Sequence, residues 1–426
     1  MFKLNRLAFE EGGERISYDY QLDEKIAKYF NLHSRFYVKY SEDVSRVPQS
    51  IAVIPLLANI APISWFAGFD IELDELDEDF YNALTVIKKI FERNFKEHSL
   101  SGSIKVGKLI KNCVEGKNTA MLFSGGLDSL ATYIRHREKL PSLITVHGAD
   151  VEIKDSKKWN ALVFFLENEP LLFNNEKKYA EANLMNFYTY QVPLLLKSLS
   201  WWGEVQYGLG LLGLMAPLSY KNGYKDILIA ASNSRYVPVL RRGSMPDIDE
   251  SVSWGGIKIH HDGYELKRQD KVDWVAGFAR KEARRPILRV CYSDLRQGFN
   301  CGKCEKCLRT CLGLILAGEN PNNYGFESDE GIYEIMFSVL GREPIPEVTK
   351  YLWKELRERA CRSDDFFIYS DKEKEQAYMH RIMEGEIDAK LNAGSCENSF
   401  VRRLKFVLIN KFPRMYGLYR AMKGLR

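Results

Sequence analysis

From about residue 117 the chain alternates short apolar runs with helical segments, the pattern of an α/β domain built on a mostly parallel sheet. Residues 119–123 read as its first strand, 143–147 as the second, 183–188 as the third, 226–231 as the fourth and 256–261 as the fifth. Helices fill the intervals, including 128–138 and 205–215. Sheets of this kind bind ligands at the carboxyl ends of their strands, so the residues that follow the first strand matter most.

Those residues are Ser124, Gly125, Gly126, Leu127, Asp128 and Ser129, set between the first strand and a helix that begins near Asp128. Two glycines let the backbone turn sharply and bring its N–H groups close to an anion, while the helix N-terminus adds partial positive charge. The hydroxyls of Ser124 and Ser129 are further donors to phosphate oxygens. Asp128 reads either as a helix cap or as an aid to magnesium binding. Two other glycine patterns fail on context. Gly102, Gly107 and Lys108 begin like a Walker loop, but Leu109 stands where a hydroxyl should hold magnesium. Gly208, Gly210 and Gly213 fit GxGxxG, yet no strand precedes them, so close helix packing under Trp201 and Trp202 is the better reading.

Of eight cysteines, four crowd into Cys301, Cys304, Cys307 and Cys311, with Cys291 just upstream. CGKC with a third cysteine three residues on makes a tight knuckle, in which Gly302 permits the turn. Adding Cys291 completes four thiolates, and zinc is the expected ion. Cys301, Cys304, Cys307 and Cys311 also fit the C-x2-C-x2-C-x3-C run of bacterial ferredoxins, although Leu312 stands where that run has proline.

The loop SGGLDS resembles the SGGxDS loop of PP-loop ATP pyrophosphatases, a superfamily that includes NAD synthetase, asparagine synthetase and tRNA-thiolating enzymes. Followed by C…CGxCxxC, it strongly resembles 7-cyano-7-deazaguanine synthase and its relatives in queuosine biosynthesis, over residues 117–316. The resemblance implies an adenine nucleotide alpha hydrolase-like fold, a parallel sheet with helices on both faces. It implies ATP and Mg2+ bound by Ser124, Gly125, Gly126, Leu127, Asp128 and Ser129, and Zn2+ held near the active site by Cys291, Cys301, Cys304 and Cys307. Ser232 and Asn233 fall where the family carries a polar turn facing nucleotide or substrate. His147 falls where such enzymes contact adenine. Arg268 and Lys271 lie near the position of a family lysine directed at the phosphates, and the choice between them stays open. With Asp128 and Ser129 they are the catalytic candidates.

The chemistry so implied is that of a ligase. A carboxylate attacks the α-phosphorus of ATP, pyrophosphate leaves, and ammonia converts the acyl-adenylate to an amide and, after a second activation, to a nitrile. The family's acid is a 7-carboxy-7-deazapurine, a purine that nothing in this chain itself indicates. Two rivals remain: a tRNA-modifying thiolase with an iron–sulfur cluster, and a non-catalytic nucleotide-binding subunit of a defence or biosynthetic complex.

The flanks have no counterpart in the compact enzyme, and a larger relative, such as the synthase-like proteins of bacterial antiphage systems, fits the length better. Residues 1–115 read as a separate α+β module of unknown role, 116–320 as the catalytic domain and 321–426 as a mainly helical extension. In the first module Phe80, Ala83, Leu84, Ile87, Ile90 and Phe91 recur at three- and four-residue steps, predicting one face of a helix. Residues 47–69 carry no charge, but Pro48, Pro55 and Pro62 argue for two short buried segments, not a membrane span. Seven of the ten residues at 70–79 are acidic, which suits the solvated start of a helix.

A net charge of +4 from 61 basic and 57 acidic residues gives no sign of a nucleic-acid partner. The last 26 residues differ, with Arg402, Arg403, Lys405, Lys411, Arg414, Arg420, Lys423 and Arg426 and no acid. This basic tail is expected to meet an anionic macromolecular partner. The first 20 residues contain four carboxylates and no apolar run of signal-peptide type, so a cytoplasmic protein is expected; a homodimer is left open.

Overall fold

The computed structural model describes residues 1–237, 241–291, 298–341, 345–363, 367–393 and 399–412. Ten strands form one mixed sheet: β1 (Phe2–Glu10), β2 (Arg15–Leu22), β3 (Tyr37–Tyr40), β4 (Ile71–Asp77), β5 (Ile104–Ile110), β6 (Asn118–Leu122), β7 (Ser142–His147), β8 (Lys177–Ala182), β9 (Tyr224–Ala230) and β10 (Lys258–Asp262). Their order across the sheet is β10-β9-β6-β7-β8-β3-β2-β1-β4-β5. The five strands from β10 to β8 are mutually parallel. Beyond them β3 pairs antiparallel with β8, through Val38 opposite Ala182, and β2 and β1 continue antiparallel. The protein is therefore α/β: the strands after residue 117 are parallel, as expected, and those of the first 115 residues make the whole sheet mixed. The strands of residues 1–115 extend this same sheet and have none of their own.

Strand residues point alternately to two cores, as the two-residue period of a strand requires. Ala120, Ile144, Ile227 and Ile229 face one core, together with the helices Ile54–Ala67, Tyr207–Gly213 and Met215–Asn222. Met121, Leu143 and Leu228 face the other, with Leu127–His136, Arg268–Lys281 and Glu305–Leu316. Helices thus cover both faces of the parallel half.

The helix Glu78–Asn94 buries the six residues its spacing predicted. Three expectations need correction. The third parallel strand is β8, not residues 183–188. Lys178 on β8 is buried by ion pairs with Glu42 and Glu176, so the strand lacks a plain apolar signature. Asn183 instead holds the following turn, accepting from Tyr37 N at 3.0 Å and donating to the Arg35 carbonyl at 2.9 Å. Residues 47–69 do break, between Gln49–Ala52 and Ile54–Ala67, but Pro62 lies inside the second helix without ending it. Near-complete burial outweighs the lost backbone bond there, and the left-handed Gly68 (φ 74°) terminates the helix. The acidic run is mostly β4, whose Ile71, Leu73 and Leu76 turn inward while the carboxylates of Glu72, Asp74 and Glu75 are wholly or partly exposed. Only Asp77 acts as a helix cap, accepting from Phe80 N at 3.0 Å.

Candidate nucleotide cleft and thiol cluster

In chain order, β7 and β8 follow β6 on one side, after which the chain returns to place β9 and β10 on the other. The order reverses between β6 and β9, and in open α/β sheets ligands bind outside the carboxyl ends of the strands at such a reversal. A cleft of about 720 Å³ opens here. Ser124, Gly126, Leu127, Asp128 and Ser129, after β6, and Ser232 and Asn233, after β9, line it.

The loop after β6 is built to present its backbone. Gly125 adopts φ 72°, where a side chain would be strained. A Cβ on Gly126 would come within 3.3 Å of the Arg289 carbonyl oxygen. Ser129 Oγ lies 3.1 Å from the Gly126 carbonyl and 3.3 Å from Ser124 Oγ. The helix Leu127–His136 starts from Gly126 with no side-chain cap, leaving its first turn of N–H groups for a ligand. Asp128 is thus not the cap. It accepts from Arg268 Nη1 at 2.6 Å and from Lys271 Nζ at 3.3 Å. Burial would raise its pKa, but these two cations, with Lys306, hold the carboxyl well below the usual range.

Lys271 also donates to the Ala231 carbonyl, so one ammonium ties the loop after β6 to the end of β9. Both basic candidates therefore meet at Asp128, and Arg268 is the one that lines the cleft. His147 sits elsewhere. Its Nδ1 is 2.9 Å from Glu181, its Nε2 is 3.2 Å from the Glu152 carbonyl, and its ring stacks on Trp159 at 4.4 Å. It does not line the cleft.

Several cleft residues had no motif to announce them. Arg289 donates to the Ser124 carbonyl at 3.2 Å, and its own N–H to that of Gly125 at 3.0 Å, bracing the loop from behind. Lys306 and Arg309 come from the helix Glu305–Leu316. Burial and the neighbouring Arg268 charge bring Lys306 down to about 8. Arg309 pairs with Glu305 at 2.7 Å. Ile144, Val146, Leu211 and Ile229 supply apolar wall, and Val348, Thr349 and Leu352 enter from the helix Glu347–Ala360 of the C-terminal extension. Their proximity in sequence to the cysteines was the only clue to Arg289 and Lys306.

The sulfurs of Cys291, Cys301, Cys304 and Cys307 all lie within 4.8 Å of one another, with Cys291–Cys304 at 3.7 Å and Cys301–Cys307 at 3.9 Å. A tetrahedron of sulfurs about 2.3 Å from a central ion has edges of roughly 3.8 Å, so the set fits one metal ion. Cys311 is buried and outside the set. Hydrogen bonding from Cys307 holds Cys304 down to about 5 against its burial, and the same contact pushes Cys307 far up. Four thiols this close favour a shared negative charge, which a cation would neutralise. Cys291 also lines the cleft, two residues after Arg289.

The rejected glycine patterns are structural. Residues 104–110 are β5, an edge strand, and Gly213 faces Ala58, where an added Cβ would come within 2.3 Å of the alanine's own.

Comparison of the chain with family models, with curated proteins and with solved structures finds no match in any of the three.

Of the basic tail, Arg402, Arg403, Lys405 and Lys411 lie on the helix Ser399–Lys411, which buries none of its residues. Arg414, Arg420, Lys423 and Arg426 lie outside the described residues. Among the described residues no helix is long and apolar enough to cross a membrane.

Proposed function

We propose that the cleft binds ATP and activates a small acid by attack on the α-phosphorus, as a PP-loop enzyme does, releasing pyrophosphate. The observation that carries this reading is the uncapped loop 124–129 at the reversal between β6 and β9, with Arg268 and Lys271 converging on Asp128. Backbone N–H groups and the hydroxyls of Ser124 and Ser129 take the departing pyrophosphate. Arg268, Lys306 and Arg309 share its charge, with Mg2+ as the usual companion of the nucleotide. The apolar wall of Ile144, Val146, Leu211 and Ile229 suits the adenine ring.

The acid's carboxylate oxygen forms a bond to the α-phosphorus as the bond to the bridging oxygen breaks, giving an acyl-adenylate. Ammonia then attacks the acyl carbon, AMP leaves, and an amide forms. Cys291, Cys301, Cys304 and Cys307 would hold zinc in a structural role. An ion there ties the segment carrying Arg289 to the start of the helix that presents Lys306 and Arg309. The compact thiol set favours one ion over a multi-iron cluster, whose thiolates stand further apart, and so favours the ligase over the thiolase.

Phosphorus NMR of the protein with ATP, magnesium, ammonia and a panel of small aromatic acids tests the reading. AMP and pyrophosphate are the expected products. ADP and inorganic phosphate, or no turnover with any acid, would refute the assignment of the cleavage site and of the activity respectively.

A further inference from the structure

One wall of the cleft is built without the 124–129 loop. Residues 202–206 form a π-helix, an uncommon element often found at functional sites, which runs into the helix Tyr207–Gly213. Trp202, Gly203, Tyr207 and Leu211 from this stretch line the cleft, together with Arg242 and Ser244. The segment bearing Arg242 is clamped. Gly243 donates its N–H to the Gly203 carbonyl and accepts from Gly208 N, both at 3.0 Å. A Cβ on Gly243 would approach the Val205 backbone to 2.7 Å, so only glycine permits this contact. Ser244 Oγ donates to the buried Asp249 at 2.6 Å, and His261 Nδ1 meets the same carboxylate oxygen at 2.7 Å.

This mount carries a cation that no carboxylate contacts directly. Arg268 pairs with Asp128, Arg309 with Glu305, and Arg289 lies 3.7 Å from Asp150. Arg242 makes no hydrogen bond or ion pair with the described residues, and its Nε is buried without a partner. Burial lowers its pKa, opposed by the charges of Glu204 and Tyr207, neither of which bonds it. Arg242 is half-buried, and leaving its buried Nε–H unpaired carries a cost that a ligand anion in the cleft would remove.

We propose that Arg242 anchors a carboxylate subsite on this wall, flanked by the Trp202 and Tyr207 rings. A carboxylate fits better than a phosphate, because one guanidinium presents a planar fork and a single charge, whereas the cations that suit a polyphosphate gather at the opposite loop. The Trp202 and Tyr207 rings pack edge to face, with centroids 5.7 Å apart and planes at 70°, and give the subsite an apolar flank beside the cation. Assigning the acid bound there as the substrate activated by ATP rests on the activity proposed above; the anion site itself does not.

Ligand-observed NMR and calorimetry with benzoate, neutral benzamide, inorganic phosphate and ATP test the subsite on wild type, Arg242→Ala and Arg242→Lys. Melting curves show whether each variant is folded. Wild type should bind benzoate at least tenfold more tightly than benzamide. Arg242→Ala should erase that preference, Arg242→Lys should restore part of it, and ATP affinity should change less than twofold in either. Equal benzoate binding by wild type and Arg242→Ala, no benzoate binding at millimolar concentration, or preference for phosphate at this site would each overturn the proposal. Arg242-dependent benzoate binding by a protein that does not bind ATP would leave the subsite standing and sink the ATP reading.

Discussion

The two halves of the ten-stranded sheet divide the labour unequally. Every residue lining the cleft comes from position 122 or later, and β1 to β5 contribute none. The parallel half brings the carboxyl ends of β6, β7 and β9 to one edge, so the loops that follow them meet. In the other half antiparallel pairing of β3, β2 and β1 sends successive loops to opposite edges. The first 115 residues thus reach the cleft only through packing. They share a core with β6, β7 and β9, and the helix Ile54–Ala67 packs against the helix that carries Tyr207 and Leu211.

The largest expected effect comes from stripping the zinc proposed for Cys291, Cys301, Cys304 and Cys307. Structural zinc contributes on the order of 10 kcal/mol to small sites that fold around it. Purified protein should hold about one zinc per chain. A strong chelator, or Cys304→Ser, should strip hydrogen-exchange protection from the helix Glu305–Leu316 and the 124–129 loop while β1 and β2 stay protected. Uniform loss across the sheet would show that the halves are one cooperative unit.

Phe80 is fully buried in the non-cleft half, and Phe80→Ala should cost about 3–5 kcal/mol in denaturant unfolding. ATP affinity of the folded variant should stay within twofold of wild type. A tenfold loss would mean that the two halves are coupled through the shared core.

Asp128→Ala should lower AMP formation at least ~100-fold, about 2.7 kcal/mol in transition-state stabilisation, because Arg268 and Lys271 lose the carboxylate that orients them. Near wild-type turnover in quenched-flow assays would remove Asp128 from the machinery.

The same carboxylate sets an acid dependence. Its folded pKa lies below the ordinary 3.8, so its stabilising contribution is fully present above that value and is lost as pH falls through and below it. Between about pH 5 and pH 3, wild type should therefore lose roughly 1 kcal/mol more stability than Asp128→Asn, the group being partly exposed. Parallel pH profiles would contradict the ion pairs. The smallest effect is expected from deleting residues 399–426. The helix Ser399–Lys411 buries no residue fully, and Arg403 on it donates to the carbonyls of Leu194 and Leu196. ATP affinity should be unchanged, and binding to an anionic partner should weaken and fade as salt rises; equal binding by full-length and truncated protein at low salt would show that the tail is only structural.

Much of the site was legible in the sequence because its signals are local. A strand, two glycines and two serines over six residues bring their own backbone geometry, and three cysteines within seven residues converge without help from distant chain. The amphipathic helix at 78–94 was legible for the same reason: its period alone selects the buried face. Proline and charge misled where tertiary burial outweighed local preference, at Pro62 inside a buried helix, at the acidic β4 and at β8 with its buried Lys178.

Which side chains meet depends on contacts between distant parts of the chain. Nothing at positions 268 and 271 indicates that both cations share Asp128 some 140 residues earlier, or that Arg289 braces the loop from behind. Nothing near residue 242 reveals that its buried Nε is left without a partner, and His147, well placed by its strand, is instead occupied by Glu181 and Trp159. Backbone turns and closely spaced ligands follow from short-range covalent geometry. The pairing of buried charges follows from the order in which β6 and β9 lie side by side, and that order is settled only when the whole sheet has buried its two cores.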